Sequence, residues 1–87
     1  MSTEPIQYWS NCPFVVGKTY RVRKTFQAMR DSFVEGEIIV FDREAYSRYD
    51  SITGYFFTQE GRQCLRLWDI GDDVDVKVWK EFFELVD

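Results

Sequence analysis

From Thr19 to Phe26 the chain alternates, with Tyr20, Val22 and Phe26 on one side and Thr19, Arg21, Arg23 and Thr25 on the other. Lys24 is the single exception on the apolar side. A period of two predicts a half-buried antiparallel strand, here with a basic outer face. Gln27 to Ser32 has no such period and reads as a loop. The pattern then changes: in Glu37 to Phe41, Ile38 and Val40 oppose Ile39 and Phe41, and Gly54 to Thr58 repeats the signal with Tyr55, Phe56 and Phe57. Strands that are apolar on both sides predict cover on both sides. Gln59 to Arg62 reads as a hairpin turn in which Gly61 can take a positive φ. Gln63, Leu65 and Leu67 then alternate with Arg62, Cys64 and Arg66 in a further strand that ends near Trp68.

The cover for the second face is expected from the C-terminus. After Gly71, Asp72 or Asp73 can cap a helix over residues 72–86, with Val74, Val78, Trp79, Phe82, Phe83 and Val86 on one stripe. Three pairs of opposite charge at i,i+4, namely Asp73 with Lys77, Lys77 with Glu81 and Lys80 with Glu84, support it. Residues 74–78 also fit a strand, because Val74, Val76 and Val78 alternate with polar residues. Residues 1–13 hold Pro5 and Pro13 and no periodicity, which describes an irregular arm. Tyr8 and Trp9 within it are expected to pack on a sheet face or to anchor a partner. The predicted fold is mainly β, of the α+β class: one domain over residues 1–87, with a core at 18–68. That core is a small antiparallel barrel or strongly bent sheet of four to five strands, with one C-terminal helix.

The order of these strands, the long first loop and the motif Phe33-x-x-Gly36-Glu37 before an apolar strand resemble the Src-homology-type (SH3-like) small barrel. In that family such a motif marks a diverging turn. The resemblance spans Thr19 to Trp68 and implies a fold. The family's Ala-Leu-Tyr-Asp-Tyr run, paired tryptophans and Pro-x-x-Tyr are missing here, so its proline-peptide groove is not carried over. Gly17-Lys18-x-Tyr20-x-Val22, with Gly36-Glu37 and Phe41, is also similar to small bacterial domains of unknown function.

Composition narrows the functional classes. With 87 residues, 18% of them aromatic, a compact core is attainable without disulfide or metal. Two cysteines are too few for a disulfide scaffold, and the N-terminus has no signal-peptide pattern, so the cytoplasm is the expected compartment. Apolar runs far shorter than the roughly 20 residues of a membrane helix predict no membrane partner. The net charge of −4 is unevenly placed: Lys18 to Arg30 holds five cations and no acid, and Asp69 to Asp87 holds seven acids against Lys77 and Lys80. The two segments are expected to complement each other within the fold.

The chain has no histidine, no C-x-x-C spacing, no phosphate-binding glycine loop and no nucleophile elbow. These absences argue against catalysis and against a cofactor. Asp69-x-x-Asp72-Asp73-x-Asp75 lacks the alternation and distal glutamate of a calcium loop, so helix capping is the expected role and no metal is predicted. The richest candidate surface is the loop after the second strand, with Tyr46, Arg48, Tyr49, Asp50 and Tyr55. Tyrosine offers a large contact area at low entropic cost, and the charges can fix register. The competing reading is that Tyr46 and Tyr55 cover one end of the core while Asp50 caps its own turn. A non-catalytic protein-binding module, such as an adaptor, inhibitor or immunity-type protein, is therefore expected, its partner another protein. The alternative is single-stranded nucleic acid bound by Arg21, Arg23, Lys24 and Arg30 beside neighbouring rings, which the acidic net charge disfavours.

Overall fold

A computed structural model describes residues 12–86. The predicted arm, with Tyr8 and Trp9, lies almost wholly outside the described residues. Among the described residues seven strands form: β1 (Thr19–Val22), β2 (Phe26–Gln27), β3 (Ser32–Phe33), β4 (Ile38–Ser47), β5 (Ile52–Thr58), β6 (Arg66–Gly71) and β7 (Phe83–Leu85). A 3-10 turn at Val76–Val78 leads into a short helix, α1 (Trp79–Phe82). The main sheet is antiparallel in the order β6-β5-β4-β1-β7, and β2 pairs with β3 in a second, two-stranded sheet.

Both sheets are open, which corrects the expected barrel or strongly bent sheet: β6 and β7 are opposite edges and do not pair with each other. The resemblance to the SH3-like barrel fails with it. The predicted long first strand is in fact two short ones. The chain leaves the main sheet after Val22, and Phe26 instead stacks on Phe33 across β2 and β3, ring centroids 5.1 Å apart. Phe33-x-x-Gly36-Glu37 is a tight turn between β3 and β4. Gly36 has φ +94°, Glu37 N–H donates to the Val34 carbonyl, and the Glu37 carboxylate accepts from Val34 N–H. A turn with those needs selects the same residues in any fold, so the motif carries no barrel information.

The C-terminal helix also differs from expectation. Helix is limited to Trp79–Phe82, and Phe83–Leu85 is a strand beside β1, with Tyr20 opposite Leu85 and Val22 opposite Phe83. Surface i,i+4 pairs contribute about 0.2–0.5 kcal/mol each. The expected helix would also bury Phe83, so the difference lies in the ladder hydrogen bonds gained at the open edge of β1, and these win over helix.

The core occupies one face of the main sheet: Tyr20, Val22, Ile39, Phe41, Tyr55, Phe57, Trp68, Ile70 and Phe83 are buried there. Val76, Val78, Trp79 and Phe82 pack on the same face. The C-terminal segment therefore leaves the second face open, against expectation, and Ile38 there is 46% exposed. At the middle of the core lies Phe14, with the rings of Tyr20, Phe41, Tyr55, Phe57, Trp68, Trp79 and Phe83 at 5.1 to 5.9 Å around it. The sequence reading, whose irregular arm ends at Pro13, assigned this ring no place.

Arg66 pins the small sheet to the large one. Its side chain is buried, with Nε donating to Asp31 Oδ2 and Nη1 to Glu37 Oε2, both at 3.1 Å. Further bonds run to Gln59 Oε1 and the Ser32 carbonyl. The guanidinium also lies 4.5 Å over the Phe33 ring. Asp31 Oδ2 accepts from Leu67 N–H as well, so the β2–β3 hairpin satisfies part of the β6 edge.

Candidate functional site

The β4–β5 hairpin is the longest paired element, in register from Val40 opposite Thr58 to Ser47 opposite Ile52, with one irregularity at Phe41/Arg43. The extra residue there is Asp42. It shifts the side-chain alternation, so that Arg43 and Phe56 share the outer face, the guanidinium 5.1 Å over the ring. Gly54 belongs to that face too. A Cβ on it would stand 2.9 Å from Leu67 Cδ1, so glycine is needed for Leu67 to lie across the strand.

The turn at residues 48–51 closes the hairpin, with Ser51 in the left-handed region at φ 55°. Ser47 Oγ donates to Asp50 Oδ2 at 3.2 Å, and Asp72 N–H donates to the Ser51 carbonyl at 3.0 Å. The tip is thus tied to the end of β6. Tyr49 stands at the tip with 95% of its surface exposed. Tyr46 is exposed as well and donates its hydroxyl to Asp72 Oδ2 at 3.1 Å. Arg48 and Asp50 are exposed beside them.

Tyr55 does not share this surface. It points into the core between Phe14, at 5.3 Å, and Trp68, at 5.4 Å. Burial pushes its hydroxyl well above the ordinary phenol range, and the Glu44 carboxylate adds to the rise. The four residues Tyr46, Arg48, Tyr49 and Asp50 remain together at one end of the molecule.

The basic candidates are spread over two regions, and each has an intramolecular neighbour. Arg21 Nε donates to Glu84 Oε2 at 2.6 Å, and Arg23 Nη1 donates to the Lys80 carbonyl. Lys24 Nζ lies 4.0 Å from Glu81 Oε1 and 4.9 Å over the Phe82 ring. The basic N-terminal segment and the acidic C-terminal one therefore meet along β1 and β7. Arg30 sits apart, in the β2–β3 turn, with Nε 3.8 Å from Asp69 Oδ2.

Asp69 is a residue whose position the sequence reading missed. The strand expected to end near Trp68 continues to Gly71, and Asp69 is within it, opposite Gly54. Its side chain is only 2% exposed; Oδ1 accepts Met29 N–H at 2.9 Å, and Oδ2 has no hydrogen-bond partner among the described residues. The available signal was an acid in the alternation Leu67, Asp69, Gly71, on the face of β6 opposite Trp68 and Ile70.

The cysteines offer little chemistry. Cys12 Sγ donates to the Phe14 carbonyl at 3.4 Å, and burial raises its thiol to about 11, which leaves it without thiolate character near neutrality. Cys64 is exposed and unpaired in any disulfide. No group of three or more cysteine, aspartate and glutamate side chains is arranged to hold a metal among the described residues. No helix among them is long and apolar enough to cross a membrane.

No protein-family model matches the sequence, and no curated protein matches it significantly. A solved structure of an integron cassette protein from the mobile metagenome of Vibrio cholerae is similar in fold, with a TM-score of 0.69 over 85% of this chain and 87% of that one. The two are 17% identical, so the likeness concerns the fold alone.

Proposed function

We propose that this chain is a non-catalytic protein-binding module whose partner contacts the tip of the β4–β5 hairpin through Tyr46, Arg48, Tyr49 and Asp50. The observation that carries the proposal is the nearly complete exposure of Tyr49 on a turn held by strands of ten and seven residues. A large ring in water at the end of a rigid hairpin gains nothing from the fold, and it suits capture by another protein at little entropic cost. The exposed Arg48 and Asp50 on either side supply charges that can set orientation. Single-stranded nucleic acid is the weaker reading, because Arg21, Arg23 and Lys24 are engaged with the C-terminal segment and the net charge is −4.

The test compares immobilised wild-type protein with Tyr49→Ala in capture from extracts of the native host, read by quantitative mass spectrometry. A protein retained by the wild type and depleted about tenfold or more by Tyr49→Ala is expected, since a hot-spot ring is worth about 1.4 kcal/mol or more. Indistinguishable captured sets would overturn the assignment. A salt-sensitive gel shift of single-stranded DNA or RNA by the wild type would favour the nucleic-acid reading instead.

A further inference from the structure

The face of the main sheet turned away from the core is apolar over most of its width. The register places Ile38 opposite Arg21, and Val40 between Thr19 and Thr58, with Ile39, Phe41 and Phe57 on the buried side. Beyond the irregularity at Phe41/Arg43, Arg43, Phe56 and Leu67 continue the outer face from strand to strand. Ile38 is exposed, Val40, Phe56 and Leu67 are only part-buried, and no helix or second sheet covers them among the described residues. An open apolar patch of several hundred Å² on a small domain marks a contact surface. With ten residues in β4 and four strands side by side, this one measures roughly 30 by 20 Å. Two such faces laid together bury on the order of 1,200 Å², the low end of specific interfaces. The relief and charge of the face are also self-complementary. A hollow of about 430 Å³ is lined by Thr19, Ile38, Val40 and Thr58, with Gln59 and Glu60 from the β5–β6 turn. Next to it along the same strand pair, the Arg43 guanidinium is stacked on the Phe56 ring at 5.1 Å, so this pair stands out from the sheet. Arg43 also meets Asp42 Oδ2 at 3.4 Å, yet 61% of its side chain is exposed.

We propose that a second copy of this chain covers the face, in a symmetric dimer built sheet against sheet. A two-fold axis lying in the interface and crossing the strands between Val40 and Arg43 seats the Phe56–Arg43 pair of each copy in the hollow of the other. It also sets Arg43 against the other copy's Glu60 twice, so one surface serves as both partners. The face is separate from the hairpin tip, and the two tips of the dimer point in opposite directions. Sedimentation equilibrium of the full chain over a concentration series from about 5 μM to about 1 mM tests the proposal, since assembly follows mass action. A monomer–dimer equilibrium with Kd on the order of 10–100 μM is expected for so small an interface. Ile38→Glu sets a carboxylate in the hollow and should weaken the dimer at least about tenfold, because the charge loses its water on association. The thermal midpoint of the dilute protein should hold, since Ile38 is 46% exposed and opposite Arg21. Arg43→Glu and Glu60→Arg should each weaken the dimer about tenfold, and the double variant should return to within about threefold of the wild type. A monomer at every concentration overturns the proposal. So does a dimer indifferent to Ile38→Glu, or a double variant no tighter than the single ones. If Ile38→Glu does not fold, the charge exchange decides alone.

Discussion

Replacing Phe14 by alanine is expected to cost about 3–5 kcal/mol, read as a lowered urea midpoint, because the change leaves a cavity that its surrounding rings cannot close together. For a domain of this size that is a large share of the whole stability. Tyr49→Ala belongs at the other extreme. Its ring touches solvent on nearly every side, so the thermal midpoint should stay within the change produced by about 0.5 kcal/mol. The two residues show how far sequence context informs about burial. Tyr49 is flanked by Arg48 and Asp50, and its exposure is legible in that local polarity. Phe14 follows a proline in a segment without period, so no local pattern announces it. Tyr55 lies between: the strand pattern marks it as paired, but only the identity of the core face decides that its ring is buried.

At the level of elements, residues 38–41 and 54–58 were readable as strands from their short apolar runs, whereas Arg43 to Ser47, expected in the loop, is strand because it pairs across to β5. The C-terminal segment was not readable either, since its helix and strand preferences are close and the open edge of β1 decides between them. Val86 N–H donates to the Thr19 carbonyl and Arg23 N–H to the Phe82 carbonyl. The alternation of an antiparallel ladder then makes Arg21 and Glu84 a hydrogen-bonded pair. The Glu84 amide is therefore expected to exchange with solvent slowly, with the protection of the main sheet, and the Lys80 amide in the short helix much faster. Equal protection at both positions would indicate a continuous helix. Glu84→Pro removes that ladder donor and should destabilise by roughly 3 kcal/mol, whereas Arg21→Ala, which loses only a half-exposed ion pair, should cost about 1 kcal/mol or less.

Across the whole molecule, Arg66 joins the two sheets, and the joint is sensitive to acid. Burial alone would raise the Asp31 carboxyl, but the Arg66 hydrogen bond and those from Leu67 and Ser32 N–H outweigh it and hold the group below the ordinary carboxylate range. Glu37 is lowered in the same way, with Val34 N–H and Arg66 overcoming its burial. A depressed folded value gives stability that is present above the ordinary carboxylate pKa of about 4 and is lost as pH falls through the folded value. Urea midpoints should thus drop from about pH 4 downward. In Arg66→Met the stability near neutrality should be lower by on the order of 3 kcal/mol, because two carboxylates lose their partner, and the acid-induced fall should be shallower. A fall of equal depth in both proteins would place the acid sensitivity elsewhere.

The sequence by itself determined that strands run through 38–41 and 54–58 and begin at Thr19, though not that the first one stops at Val22, that Gly61 can supply the positive φ it has, and that the region around Tyr49 meets solvent. Each of these follows from interactions between residues near in sequence, where periodicity, turn chemistry and local polarity are expressed directly. Which strand neighbours which, and so whether the sheet closes, was decided only in three dimensions, because β1 takes β4 on one side and the distant Phe83–Leu85 on the other. The same holds for Asp69. Its place in the sequence, before Asp72 and Asp73, suggests a solvated acidic run. Its burial comes from the Met29 amide, forty residues earlier, closing over it.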